Sequence, residues 1–330
     1  MIELFFHVNP TLLQAFWALA TFTKNQRPLT LQSQQQLQQT RTNSQQLDRV
    51  EIYSGQEAVE GSQHLGHWGP LFCHEHSIRF VIIGKGSNCL FDDLGFDGCV
   101  ILNRIEFLEE EPGLYRVGSG FRFNRLGVHC SSEGFTGLEF AGGIPGTVGG
   151  ATYMNAGANG QETADAIHCV DIITMDGRLH RLSRTDLNFG YRSSPFQDMQ
   201  ELAAITAVTF KLQHSGSAKR RQHEYMERRR ASQPVGEQSA GSVFRNPLDV
   251  GVAAAELIEK AGLKGFRVGG AMVSKMHANF FINCGGSTSQ DMLDLLALVK
   301  EKVDQKFAVQ LKEEILYVHP HRNDVKSKQR

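Results

Sequence analysis

Apolar residues fall in short runs over most of the chain, and glycines separate the runs. Arg79–Ile83 (RFVII) is nearly continuous in apolar character, the pattern of a buried strand, and it ends in Gly84-Lys85-Gly86-Ser87-Asn88. Further β-like runs cover Gly98–Leu102, Leu114–Gly118, Val170–Met175 and Ala203–Leu212, with one helical pattern among them at Arg122–Glu133. Strands joined by long loops, with few helices between, predict an α+β domain. The segment Ser217–Ser232 is highly charged and reads as an exposed helix or linker. A second unit follows, with a helix at Val252–Ala261, a strand at Asn279–Ile282, a helix at Ser287–Phe307 and a closing strand at Glu314–Val318. The polar tail His319–Arg330 is expected to fray.

The first 71 residues differ from the rest. Leu12, Leu13, Phe16, Trp17 and Leu19 stand at roughly helical spacing, and eight glutamines crowd the fifteen residues from Gln32 to Gln46. Such a tract offers too little apolar surface to offset the entropy lost on ordering it.

Composition narrows the function. With 34 Lys and Arg against 35 Asp and Glu in 330 residues, there is no basic excess to favour nucleic acid or an anionic membrane as partner. The apolar stretch Leu12–Phe22 is too short for a span, which needs about 20 residues. It also lacks the basic start and cleavage site of a signal peptide. Cys73, Cys89, Cys99, Cys130, Cys169 and Cys284 are scattered with no CxxC pair, as in a chain with reduced thiols. A soluble cytoplasmic protein without a bound metal is therefore expected.

Candidate chemistry sits in the glycine-rich turns. Successive N–H groups in Gly84–Asn88 can cradle a diphosphate, although the segment is neither a Walker loop nor a dinucleotide fingerprint, and an ordinary turn is the alternative. Gly142–Ala151 (GGIPGTVGGA) holds five glycines and a proline in ten residues, as suits backbone lying against a flat or phosphorylated ligand. Met154–Gly160 (MNAGANG) continues it. Arg192, in YRSSPF, could clamp a carboxylate or serve only a surface ion pair. Ser242, in GSVFRNP, has no Gly-x-Ser-x-Gly context that would mark a hydrolase. Glu313 and Glu314 are adjacent on an expected strand and so point to opposite faces.

Taken in order, GKGSNCLF, GLEFAGGIPGTVGGATYMNAGANGQE, YRSSPF, SAGSVFRNP, AAELIEKAGLKG, GGAMVSKMHANFFIN and LKEEI resemble the UDP-N-acetylenolpyruvoylglucosamine reductases (UDP-N-acetylmuramate dehydrogenases) of peptidoglycan precursor synthesis. The resemblance runs from about Cys73 to Val318. It implies a two-part FAD-binding domain of the vanillyl-alcohol-oxidase (PCMH) type over 72–213, a charged helix or linker over 214–233, an α+β substrate-binding domain over 234–319 and a tail over 320–330. It implies non-covalent FAD held by Gly84, Lys85, Gly86, Ser87, Asn88, Gly143, Ile144, Pro145, Gly146, Thr147, Gly149, Gly150, Asn155 and Gly157. Arg192, Ser242 and Glu314 match the catalytic positions. Tyr191, Asn246, Ser274 and His277 are expected substrate contacts, and Arg229, in the basic run Arg228–Arg230, is expected to reach the UDP diphosphate or the NADPH phosphate, with an ordinary solvated helix face as the alternative.

The implied chemistry passes a hydride from NADPH through the flavin to the vinyl carbon distal to the carboxylate of UDP-N-acetylglucosamine enolpyruvate. Arg192 and a protonated Glu314 stabilise the enolate that develops, and Ser242 protonates the other carbon. Fifty positions separate Arg192 from Ser242, with no folded insertion visible, which resembles the shorter second form without a lid tyrosine. A monomer is expected.

One departure stands out. Members open with a Thr-Thr-Phe-x-x-Gly-Gly type segment, and residues 1–71 hold nothing like it. Either this subdomain is divergent or disordered, or the reading frame is altered upstream of about Cys73. Weak FAD binding is the expectation, and full flavin occupancy of the purified protein would refute it. A silent UDP-sugar-binding remnant and another flavoprotein oxidase of the same fold are the alternative readings.

Overall fold

The computed structural model describes residues 3–7, 48–51 and 69–320. The amphipathic pattern near Leu12–Phe22, the glutamine tract and the last ten residues lie outside the described residues. From the first 71 residues, Glu3–His7 and Asp48–Glu51 are strands. They join a four-stranded sheet in the order Asp48–Glu51, Glu3–His7, Gly98–Leu102, Phe80–Ile83, whose last pair is parallel.

A second, antiparallel sheet orders Leu179–Ser183, Ile167–Thr174, Leu202–Lys211, Leu114–Gly118 and Leu108–Glu111. The central strands are buried nearly throughout, whereas Leu179–Ser183 at the edge is mostly exposed. The helix Phe123–Ser132 covers this sheet. Phe123, Phe140 and Phe210 meet beneath it, with Phe123 6.0 Å from Phe140 and 6.5 Å from Phe210 between ring centroids. Each such ring contributes about 1.5–3 kcal/mol by leaving water.

The expected loop Gly142–Ala151 is only partly a loop. Glu139–Gly143 forms a 3-10 turn and Val148–Tyr153 a short helix, begun where the Thr147 hydroxyl accepts the Gly150 N–H at 3.3 Å. Glycine's poor helix propensity hid this helix. Its glycine serves packing instead: a Cβ on Gly149 would lie 2.9 Å from that of Ser119. Likewise a Cβ on Gly84 would lie 2.2 Å from the Thr147 Oγ1, so the two glycine turns touch directly.

The charged segment forms the helix Ala218–Ser232. Arg221, Gln222, Tyr225, Met226 and Arg229 recur at helical spacing and are half-buried, while the intervening positions are mostly exposed. This face lies on the turn Glu139–Gly143, where a Cβ on Gly142 would meet Gln222 and one on Gly143 would meet Arg229. Arg221 pairs with the buried Glu139 at 2.9 Å. Burial opposes the Glu139 charge, yet hydrogen bonds from Thr136 and the Gly137 N–H, with Arg221 beside them, hold its carboxyl below the usual range. Arg221→Ala strands that carboxylate. Chemical denaturation is expected to register a loss of about 1–3 kcal/mol, smaller when Glu139→Gln is added.

The C-terminal part packs the sheet Arg267–Val268, Ala271–Val273, Phe281–Asn283 against the helices Ala254–Lys260 and Ser289–Phe307. In the long helix, Thr288 and Asp291 form a capping box, and Leu295, Val299 and Val303 line the buried face at four-residue intervals. The final strand, Leu316–Val318, leaves this unit and pairs in parallel with Cys89–Phe91. It starts two residues later than the sequence pattern suggests. The returning strand carries Glu314 back to the turn that ends in Asn88.

Candidate active site

Three segments distant in sequence meet through backbone bonds. The Glu314 N–H donates to the Val243 carbonyl at 2.7 Å, and the Leu316 N–H donates to Asn88 O at 2.9 Å. The Asn88 amide donates to the Glu314 carbonyl at 3.2 Å. Ser242 itself bridges to Phe280. The buried Asn279 clamps the residues just beyond it: its Oδ1 accepts the Phe244 N–H at 3.0 Å, and its Nδ2 donates to the Phe244 carbonyl at 2.7 Å.

These bonds enclose a cavity of about 700 Å³, a size common for ligand sites. Arg192, Ser242 and Glu314 all line it, together with Arg229. So do Gly84, Lys85, Gly86, Ser87, Asn88, Gly143, Ile144, Pro145, Gly146, Thr147, Gly149, Gly150 and Gly157. Arg192 donates through Nε to Glu314 Oε1 at 2.7 Å, and through Nη2 to the Gly157 carbonyl at 2.9 Å. Both side chains are largely shielded, at 16% and 15% exposure, so the pair is not a surface contact. Burial pushes the Glu314 carboxyl above the usual range, and the pull of Arg192 and Arg245 in the other direction is smaller. Glu313 points elsewhere and pairs with Lys300 at 2.6 Å, as expected for adjacent extended residues.

Other predicted residues stand off the cavity. Asn155 is wholly buried behind its wall. The Tyr191 hydroxyl accepts the Asn246 N–H at 3.3 Å, and Asn246 Oδ1 accepts the Ala254 N–H at 3.0 Å, so both are engaged in the entry to a helix. Ser274 is buried and its hydroxyl accepts the N–H groups of Met276 and His277, a turn-forming role. His277 stacks edge-on to Phe280, and burial lowers its pKa.

Two further residues have unmet needs among the described residues. Gln233 lines the cavity with a buried Oε1 that has no hydrogen-bond partner there, and the buried Nε of Arg245, near Glu314, has none either. Gln233 carries no sequence signal beyond its place in a polar stretch, whereas Arg245 stands in the GSVFRNP motif without an assigned role. Arg229 is also desolvated, which lowers its pKa, and no carboxylate among the described residues pairs with it. An uncompensated cation, an orphaned acceptor and two turns of bare backbone suit a ligand with anionic and polar parts, as a flavin dinucleotide is. Among the described residues no group of three or more His, Cys, Asp or Glu could hold a metal ion. No helix among them is long and apolar enough to cross a membrane.

The fold and site define a two-sheet domain whose cavity suits an anionic, polar ligand, followed by a separate C-terminal unit. Comparison with known proteins gives the family. Residues 71–183 match a family model described as an FAD binding domain, and residues 233–318 match the C-terminal domain of UDP-N-acetylenolpyruvoylglucosamine reductase. A protein of that name from Protochlamydia amoebophila is 51% identical over 249 residues, 75% of this chain and 82% of the relative. One from Chlamydia felis is 42% identical over 275 residues, 82% of this chain and 88% of the relative. The crystal structure of the reductase from Thermus caldophilus superposes with a TM-score of 0.60 at 33% identity, covering 73% of this chain and 85% of that one. The chain belongs to the UDP-N-acetylenolpyruvoylglucosamine reductase family.

Proposed function

We propose that this protein reduces UDP-N-acetylglucosamine enolpyruvate to UDP-N-acetylmuramate at the expense of NADPH, with non-covalent FAD between them. The Arg192–Glu314 pair, sharing one shielded cavity with Ser242 and the Gly84–Asn88 turn, carries this reading. On it, residues 72–213 hold the flavin and residues 234–319 present the substrate. Bound FAD would supply a carrier that accepts a hydride from NADPH and yields it to the vinyl group.

The side chains supply the rest. Adding hydride to the distal vinyl carbon leaves negative charge shared between the adjacent carbon and its carboxylate. Arg192, permanently cationic and held by carbonyl oxygens, offers its remaining N–H groups to that carboxylate. Glu314 accepts from Arg192 on one oxygen and, when protonated, can donate to the developing enolate from the other. The Ser242 hydroxyl delivers the proton to carbon; a weak acid suffices when it is positioned against a carbanion-like centre. Arg229, without a counter-ion among the described residues, suits a diphosphate of either substrate.

The reading requires NADPH oxidation that depends on the enolpyruvyl sugar. NADPH consumption at the same rate with and without that sugar would defeat it. The raised pKa of Glu314 adds a sign: as pH rises through it the carboxyl ionises, the donor is lost and the substrate-dependent rate falls. Glu314→Gln stays neutral and should lack this alkaline limb. Glu314→Ala should lose about 10²–10³-fold while the wild-type carboxyl is protonated, and less at higher pH, where the wild type has lost the donor too.

A further inference from the structure

Asn155 adopts φ +43°, in the left-handed region where asparagine is among the few tolerated side chains. Its side chain is fully committed. Nδ2 donates to the Gly190 carbonyl at 2.8 Å and to Glu162 Oε2 at 2.7 Å, and Oδ1 accepts the Ala164 N–H at 3.0 Å. Gly190 and Ser193 exchange both backbone bonds at 3.0 Å, closing a tight turn that carries Tyr191 and Arg192 at its tip. Arg192 is itself left-handed, with φ +52°. The Asn155 carbonyl accepts Arg192 Nη1 at 3.5 Å, and two residues on, the Gly157 carbonyl accepts Nη2. One buried residue thus grips both the root of the arginine turn and the guanidinium at its end.

We propose that Asn155 is a positioning residue for Arg192, and not a contact of the cofactor. This rests on the catalytic reading of Arg192 given above. A left-handed arginine on a four-residue turn holds its geometry only if the surroundings over-determine it. Asn155 supplies that constraint through the Gly190 carbonyl, and Glu162 fixes the Asn155 amide in turn. The amide is needed as a donor. Asn155→Asp keeps the size but turns the donor into an acceptor facing the Glu162 carboxylate and the Gly190 carbonyl. Repulsion there displaces the turn. Adding Glu162→Gln restores a donor between positions 155 and 162 and should recover part of the loss.

The test uses the full chain with its flavin and two readouts. The first is the Nε–H resonance of Arg192 in protein labelled with ¹⁵N-arginine, assigned through Arg192→Lys; the 2.7 Å bond to Glu314 protects this proton from exchange. Protection is expected in the wild type, lost in Asn155→Asp and regained with Glu162→Gln. The second is rapid kinetics. In Asn155→Asp the circular dichroism melt should fall, because a carboxylate is buried beside another, while flavin content and reduction by NADPH stay near wild type. Oxidation by the enolpyruvyl substrate should slow about 100-fold, the scale of a misplacement near 1 Å. Unchanged protection of the Arg192 proton overturns the proposal whatever the turnover. So does the joint loss of flavin and fold in both Asn155→Asp and Asn155→Gly, which would give Asn155 a folding role alone. A wild type with a protected proton but no substrate-dependent turnover would leave the positioning intact and refute the functional reading instead.

Discussion

Ser242→Ala should leave reduction of the bound flavin by NADPH at its wild-type rate and slow its oxidation by the enolpyruvyl substrate by about 10²–10⁴-fold, the usual worth of a positioned proton donor. The asymmetry follows from the chemistry. Hydride transfer from NADPH needs no proton at the Ser242 hydroxyl, whereas completing the substrate's reduction needs one delivered to carbon. The substitution should also be structurally quiet. Ser242 is held by its backbone bridge to Phe280 and by the Asn279 clamp on Phe244, neither of which uses the hydroxyl. Stopped-flow absorbance of the two half-reactions separates the roles. Equal slowing of both would mean a disturbed fold, and equal retention of both would remove Ser242 from the mechanism.

Arg192→Ala should lower the substrate-driven half-reaction by about 10²–10³-fold or more, because it removes the fixed cation at the carboxylate where charge develops. It also leaves Glu314 buried without its counter-charge, so that carboxyl should titrate at still higher pH than in the wild type. Arg192→Lys is the sharper comparison. An ammonium group cannot bond Glu314, the Asn155 carbonyl and the Gly157 carbonyl through a planar fork while also facing substrate. Charge alone should therefore restore little, and the lysine variant should stay at least about tenfold below wild type. Near-complete recovery with lysine would make the arginine geometry irrelevant.

Much of this architecture was legible from patterning. Gly98–Leu102 and Leu114–Gly118 are strands with the bounds that the sequence suggests: the first is apolar and buried on both faces, and the second alternates Tyr115 and Val117 in the core with a half-buried Arg116. Glu314 and Glu313 part to opposite sides for the same local reason that adjacent extended residues always do. What patterning missed depends on tertiary contact. The helix Val148–Tyr153 hides in two glycines, of which Gly149 is required because Ser119 comes close. The helix Ala218–Ser232 looks solvated because its half-buried stripe is mostly polar, and Arg221 is held there by a carboxylate 82 positions away. Asn155, read as a cofactor contact, stands behind the cavity wall; motif identity gives a residue's place in the chain but not the direction of its side chain. Tyr191, Asn246, Ser274 and His277 do not line the cavity, although Tyr191 and His277 pack on Arg192 and Phe280, which do.

The most direct test is an anaerobic single turnover. Purified protein with its flavin counted is titrated with NADPH until the flavin is bleached, freed of nucleotide, and mixed with UDP-N-acetylglucosamine enolpyruvate. The proposed mechanism requires the flavin absorbance to return at one substrate per flavin, with UDP-N-acetylmuramate formed in equal amount. Flavin that bleaches with NADPH but stays bleached with this substrate, and recolours only when oxygen is admitted, would contradict it.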